Sequence, residues 1–311
     1  MKLVAAFFKL IRWPNLFFIA LTQCLFYFGV FRSIIIEPAY QARDHFLFFL
    51  LCAASILIAA AGYIINDYFD LQIDAINKPE KIVVDKFVKR RWAIMWHWIL
   101  SVIGIFLSVY ISYKTGKWII AAANIACVLL LWFYSTSFKK RILSGNIIIA
   151  ALTAWVIVVI YFFCGANIDV FDEQHIFFDA KKFFKYTVLY AGFAFVVSLI
   201  REVIKDLEDM EGDARYHANT MPVVWGVPAS KVFTAVWLVV CIATLTIVQL
   251  YALQLGWWAI PLYTVIFVVL PLVIILRRLY QAVTPAHYHQ LSNGMKLVMF
   301  AGILSMLFFI L

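Results

Sequence analysis

Charge is scarce in this sequence. Only 14% of the 311 residues are Asp, Glu, Lys or Arg, whereas soluble domains carry about a quarter. That shortage, beside 65% hydrophobic residues and a mean hydropathy of +0.93, excludes a soluble globular enzyme. Cysteine is also sparse. Cys24, Cys52, Cys127, Cys164 and Cys241 are odd in number, lie in apolar segments and lack metal-ligand spacing, so neither a disulfide framework nor a thiolate metal centre is expected. Histidine is as rare, with six residues. His97 and His217 stand near other features, but both read as structural. No cleaved signal is expected, because the first apolar run begins near Trp13 and is too long for a signal core.

What is present is apolar length. A membrane-spanning helix needs about 20 apolar residues. Nine stretches qualify: 13–36, 45–65, 92–113, 118–137, 145–165, 184–203, 230–251, 257–276 and 295–311. Trp13, Trp92, Trp118, Trp257 and Trp258 mark segment ends, as interfacial aromatics do. Pro261 and Pro271 predict a kink in the eighth stretch. The expected architecture is all-α: a polytopic bundle of nine transmembrane helices forming one domain over 1–311.

The net charge of +9 is read as a topology signal, with no nucleic-acid partner expected. Lys and Arg concentrate at 2–12, 78–91, 139–141, 201–231 and 277–296, which an inside N-terminus places on one side. The opposite loops hold fewer, among them Arg32, Arg43, Lys114 and Lys117, and 166–183 is relatively acidic through Asp169, Asp172, Glu173 and Asp179. The expected location is the cytoplasmic membrane, multi-pass. Two long inner loops, 66–91 and 201–229, would cap the active site.

Those two loops carry a repeated acidic pattern. The second stretch ends in Asn66-Asp67-Tyr68-Phe69-Asp70-Leu71-Gln72-Ile73-Asp74, and the sixth in Lys205-Asp206-Leu207-Glu208-Asp209-Met210-Glu211-Gly212-Asp213. Carboxylates recur at i, i+3 and i+7 in both, on one helix face. One such triad is an ordinary solvated helix end. Two with identical spacing, separated by an even number of spans, are not. Like charges on one face repel and need a cation. Oxygen donors with no His or Cys beside them select a hard ion, Mg²⁺ first, which completes its shell with water and phosphate oxygen. The six aspartates therefore read as both catalytic and metal-binding, in a clamp for a diphosphate. Lys78, Arg201 and Lys205 stand in register with them, and Asn66, Lys139 and Lys140 are further diphosphate-binding candidates.

These paired motifs resemble the UbiA superfamily of intramembrane prenyltransferases. The resemblance covers nearly the whole chain and includes a third signature, Tyr134-Ser135, Lys139-Lys140-Arg141 and Gly145-Asn146, after the fourth span. The run from Arg201 to Asp213 and the start Arg12-Trp13-Pro14-Asn15 are most similar to the branch of geranylgeranylglyceryl-phosphate geranylgeranyltransferase. The family often carries Asn-Arg-Pro-x-Arg-Pro after the first motif. Here Asn77-Lys78-Pro79-Glu80-Lys81-Ile82 keeps the charge without the bidentate guanidinium fork.

The resemblance implies a helical bundle with a central cavity open to lipid, Mg²⁺ as cofactor, a prenyl diphosphate donor and a lipophilic acceptor. It also implies that Asn15 faces the site. An allylic cation would need aromatic shielding, for which Tyr63, Tyr68 and Tyr134 are candidates. The acceptor stays open among a glycerol phosphate lipid, an aromatic acid of quinone biosynthesis and a porphyrin. An ion-coupled transporter is the reading from another class. Oligomeric state is silent in the sequence.

Overall fold

The computed structural model of the chain describes residues 2–35, 45–77, 79, 82–166 and 179–310. Among them there is no β-strand, and helices account for almost every span. In chain order the helices are α1 (Lys2–Leu10), α2 (Trp13–Leu25), α3 (His45–Phe69), α4 (Leu71–Asn77), α5 (Arg90–Thr115), α6 (Trp118–Thr136), α7 (Ser144–Ala166), α8 (Ala180–Arg215), α9 (Met221–Gln254), α10 (Ala259–Thr264), α11 (Leu270–Gln281) and α12 (Pro285–Leu304). Nine helical stretches among the described residues are long and apolar enough to cross a membrane, and the chain is an integral membrane protein. Within the eighth stretch, a π-helical turn, Val265–Val269, lies between Pro261 and Pro271. Proline withholds a backbone donor, and the widened turn falls where the kink was expected.

Three boundaries differ from the sequence reading. Residues 201–229 are not a long loop: α8 carries the charged residues on to Arg215, and α9 begins at Met221. The first of the two inner loops is likewise helical over most of 66–77. In both cases the charges mark where the helix meets water, not where it ends. The last span begins at Pro285 instead of 295. Its first turns are polar, so hydropathy misses them, but Thr284 caps the helix by accepting from the His287 N–H, and Pro285 suits the first helical turn. The short amphipathic α1, which buries Ala6 and Leu10, has no counterpart in the hydropathy pattern.

The chain falls into two compact units, Met1–Phe138 with Trp155–Leu189, and Lys139–Ala154 with Tyr190–Leu311. In the first, α3 packs along α5 and α6. Small residues permit that approach. A Cβ on Gly104 would sit 2.8 Å from Cγ1 of Ile58 and 3.4 Å from the Ala54 carbonyl oxygen. Ile58 is β-branched and has little rotameric freedom in a helix. Gly104→Ala is therefore expected to cost about 1–3 kcal/mol of stability, read from reversible unfolding in detergent micelles. A buried polar chain also ties this unit: Asn124 donates to Ser108 Oγ at 2.8 Å and accepts from the Trp155 indole at 2.9 Å. In the second unit, α8, α9, α11 and α12 share a core that includes Ile204, Leu238, Leu272 and Met295.

Candidate functional site

In the first unit the acidic motif sits where α3 gives way to α4. Helical hydrogen bonds run through the junction, Asp70 N–H to Asn66 O at 3.0 Å and Asp74 N–H to Asp70 O at 2.8 Å. Asp67, Asp70 and Asp74 therefore keep their helical spacing. Asp70 is buried, at 4% exposure, and accepts from Asn66 Nδ2 at 2.7 Å. The other amide atom, Asn66 Oδ1, is buried and has no hydrogen-bond partner among the described residues.

Arg12 closes on the same motif. The chain turns there through a left-handed conformation, φ 52° and ψ 53°, between α1 and α2. Its Nη2 donates to Asp67 Oδ1 at 2.5 Å, and its guanidinium lies over the Tyr63 ring at 5.2 Å. The pKa of this guanidinium lies above its ordinary value. Burial works against the charge, but Asp67, Tyr63 and Asp70 outweigh it. A non-glycine residue held in this conformation costs of order 1 kcal/mol, which the ion pair offsets.

Of the remaining candidates in this unit, Asn15 is half-buried in the first turn of α2 and is bonded through its amide to the Arg12 carbonyl at 2.8 Å. Tyr68 packs against the apolar cluster around Leu16 and Ile64. Tyr134 is half-buried near the end of α6. Lys78 and Lys81 lie outside the described residues, as do Asp169, Asp172 and Glu173.

In the second unit the triad lies on the last turns of α8. Asp206 Oδ2 accepts from Asn146 Nδ2 at 2.8 Å, and Asp213 Oδ2 accepts from Thr220 Oγ1 at 3.2 Å. Both ends of the triad are thus fixed by neutral donors from other elements. One turn earlier, Glu202 is buried and joins two candidate cations, accepting from Arg201 Nη1 at 2.8 Å and Lys205 Nζ at 2.9 Å. Glu208 pairs with His289 of α12 at 3.0 Å. Lys139 and Lys140 occupy a short 3₁₀ turn, and the Lys140 carbonyl accepts from the Asn219 N–H at 2.9 Å.

Arg12, Asn146, Glu202 and Thr220 were not among the candidates read from sequence. The first three stand inside the motifs already quoted, so their place was visible and their partners were not. Thr220 carried no signal. His97, read as structural, is bonded to the Ala61 carbonyl at 3.0 Å.

The donor set suits a hard cation: carboxylates and an amide oxygen, with a buried orphan at Asn66 Oδ1. Among the described residues, no three His, Cys, Asp or Glu side chains gather into a metal-binding group. That still suits Mg²⁺, which uses one or two carboxylates and takes its other ligands from water and phosphate.

A family model described as the UbiA prenyltransferase family matches residues 11–300, so both aspartate motifs fall inside it. The chain belongs to that family. Among UbiA relatives, it is 33% identical to the digeranylgeranylglyceryl phosphate synthase of Methanothermobacter thermautotrophicus, over 67% of this chain and 66% of that one. It is 29% identical to the synthase of the same name from Sulfurisphaera tokodaii, over 88% of each. Against the first relatives of this name the matched share of their own length is 54% to 66%. The solved structure of a UbiA homolog from Archaeoglobus fulgidus bound to DMAPP and Mg²⁺ aligns with 96% of this chain and 98% of that one, at TM-score 0.57 and 18% identity. At that identity the likeness speaks for the UbiA fold.

Proposed function

We propose that this UbiA-family protein is a Mg²⁺-dependent intramembrane prenyltransferase. It moves a polyprenyl group from a prenyl diphosphate to a lipophilic acceptor, with geranylgeranyl transfer to geranylgeranylglyceryl phosphate as the specific reaction. The observation that carries this reading is the family match across 11–300, which takes in two aspartate triads at the same spacing. The name shared by several relatives supports the acceptor, and the DMAPP and Mg²⁺ bound to the Archaeoglobus fulgidus homolog support the donor and the ion.

In this reading the oxygen ligands would be drawn from Asp67, Asp70, Asp74, Asp206, Asp209 and Asp213, one or two carboxylates to an ion, with Asn66 beside the first triad. Bound Mg²⁺ would supply positive charge to the leaving diphosphate. Arg201, Lys205, Lys139, Lys140 and Lys78 add donors to its oxygens. The C–O bond to the allylic carbon breaks and the diphosphate leaves with the electron pair; the acceptor hydroxyl oxygen bonds to that carbon as its O–H bond breaks, and the proton passes to water or the released diphosphate. Tyr63, Tyr68 and Tyr134 are the aromatic faces assigned to the allylic cation. Asn15 is assigned to the acceptor side. Both triads are assigned to the cytoplasmic side, with the N-terminus inside.

The test is a labelled-prenyl transfer assay with purified protein, geranylgeranyl diphosphate and either Mg²⁺ or EDTA. Geranylgeranylglyceryl phosphate, 4-hydroxybenzoate and a dihydroxynaphthoate serve as acceptors. Transfer to the first, abolished by EDTA, is the expected result. Transfer to an aromatic acid instead would move the protein to quinone biosynthesis. Absence of diphosphate release from folded protein at any donor length would sink the enzyme reading in favour of a transporter.

A further inference from the structure

Glu202 is an acid in a region where a diphosphate enzyme needs cations. It is 6% exposed, and both of its oxygens are engaged, Oε1 by Arg201 and Oε2 by Lys205. Lys139 adds its field from the 3₁₀ turn. Ion pairs between neighbours on a helix surface are usually solvated and contribute little. This one is sheltered, and Glu202 holds a cation on each of its two oxygens, while Asp206 one turn on shares the field of Lys205.

A brace serving stability alone would need one cation. The excess leaves donors over. Arg201 Nε is buried without a hydrogen-bond partner among the described residues. A Lys ammonium has three protons, and Glu202 uses one of those on Lys205. Arg and Lys side chains are long and rotamer-rich, and like charges repel, so without an anchor these groups would spread apart. A fixed carboxylate between them keeps their heads at one place and leaves the spare donors for an anion.

We infer that Glu202 is a positioning residue, which holds Arg201 and Lys205 in the arrangement that grips the diphosphate of the prenyl donor. This rests on the prenyltransferase reading above and adds a residue to it. Glu202 itself is not a diphosphate ligand, because its carboxylate carries the same sign as the anion and has no proton to donate.

The experiment compares wild type with Glu202→Gln and Glu202→Asp. The readouts are KM and kcat for geranylgeranyl diphosphate transfer, the inhibition constant of inorganic pyrophosphate, and thermal unfolding in detergent. Pyrophosphate has no prenyl tail and reports on the anion grip alone. Loss of a negative charge would by simple electrostatics tighten its binding, so positioning predicts the opposite sign. For Glu202→Gln, KM and the pyrophosphate constant are expected to rise together about tenfold or more, with kcat falling as well because Arg201 and Lys205 also face the leaving diphosphate, and with a lower unfolding temperature in a protein that still folds. Glu202→Asp keeps the charge, but its shorter arm reaches only one cation, and it should recover part of the loss.

Unchanged or tighter pyrophosphate binding in folded Glu202→Gln would overturn the inference. If that variant does not fold, Glu202→Asp decides: severalfold weaker pyrophosphate supports the role, and a wild-type constant removes it. A wild-type protein that shows no Mg²⁺-dependent diphosphate release takes down the prenyltransferase reading and this inference together. An active wild type with indifferent variants takes down this inference alone.

Discussion

Asp206→Ala is expected to lower prenyl diphosphate cleavage about a thousandfold while leaving a folded, membrane-inserted protein. Removing a single group that stabilises developing charge in an active site commonly costs about 10²–10³ in rate. Asp206 loses more than one such group. It is an oxygen ligand in the proposed clamp, and it is the acceptor that keeps Asn146 in place at 2.8 Å. The variant leaves that amide donor without its carboxylate. Asp206→Asn should be nearly as damaging, because it keeps the volume but loses the charge. Diphosphate release from labelled geranylgeranyl diphosphate at saturating Mg²⁺ measures this directly. Release within tenfold of wild type would show that the α8 carboxylates do not act in the reaction. Asn146→Ala should show the milder, outer-sphere version of the same defect: a higher Mg²⁺ concentration at half-maximal rate, with partial recovery at high Mg²⁺.

Arg12→Ala is expected to reduce kcat/KM for transfer about ten- to a hundredfold, with Lys restoring only part of it. Loss of a partner that orients a functional carboxylate has effects of this size. Arg12 holds Asp67 Oδ1 through a 2.5 Å charge-assisted bond and lies over Tyr63, so its removal takes away one restraint on the Asp67 carboxylate and the cation on that ring. Lysine supplies the charge but not the planar contact with the ring. A variant with wild-type kcat/KM and wild-type Mg²⁺ dependence would reduce the Arg12–Asp67 pair to a structural link between α2 and α3.

Much of this was legible in sequence. Apolar runs longer than a bilayer is thick leave few alternatives, so the nine spans followed from hydropathy. The triads were visible because i, i+3, i+7 is a helical spacing, and Asp70 keeps it even though α3 and α4 part there. What escaped was of two kinds. Hydropathy sees water, not hydrogen bonding, so it ended the sixth span at 203 while α8 runs to Arg215, and it missed the polar start of α12 at Pro285. Pairing across the chain escaped as well. Arg12 lies 55 residues from Asp67, and Asn146 lies 60 from Asp206. Glu202 was hidden differently: an acid between two basic residues on a charged helix end looks like any solvated neighbour until its burial is known.

The unbroken length of α8 has a consequence for the substrate. Its 36 residues at about 1.5 Å each make a rod of roughly 54 Å, against a hydrocarbon layer of about 30 Å. From Tyr190 to Arg215 the helix belongs to the second unit as one run, so the acids on its last turns move with the core around Ile204 and Leu207. In the proposed reading, a donor held by its head at those acids would extend its isoprene units from a level that this core sets.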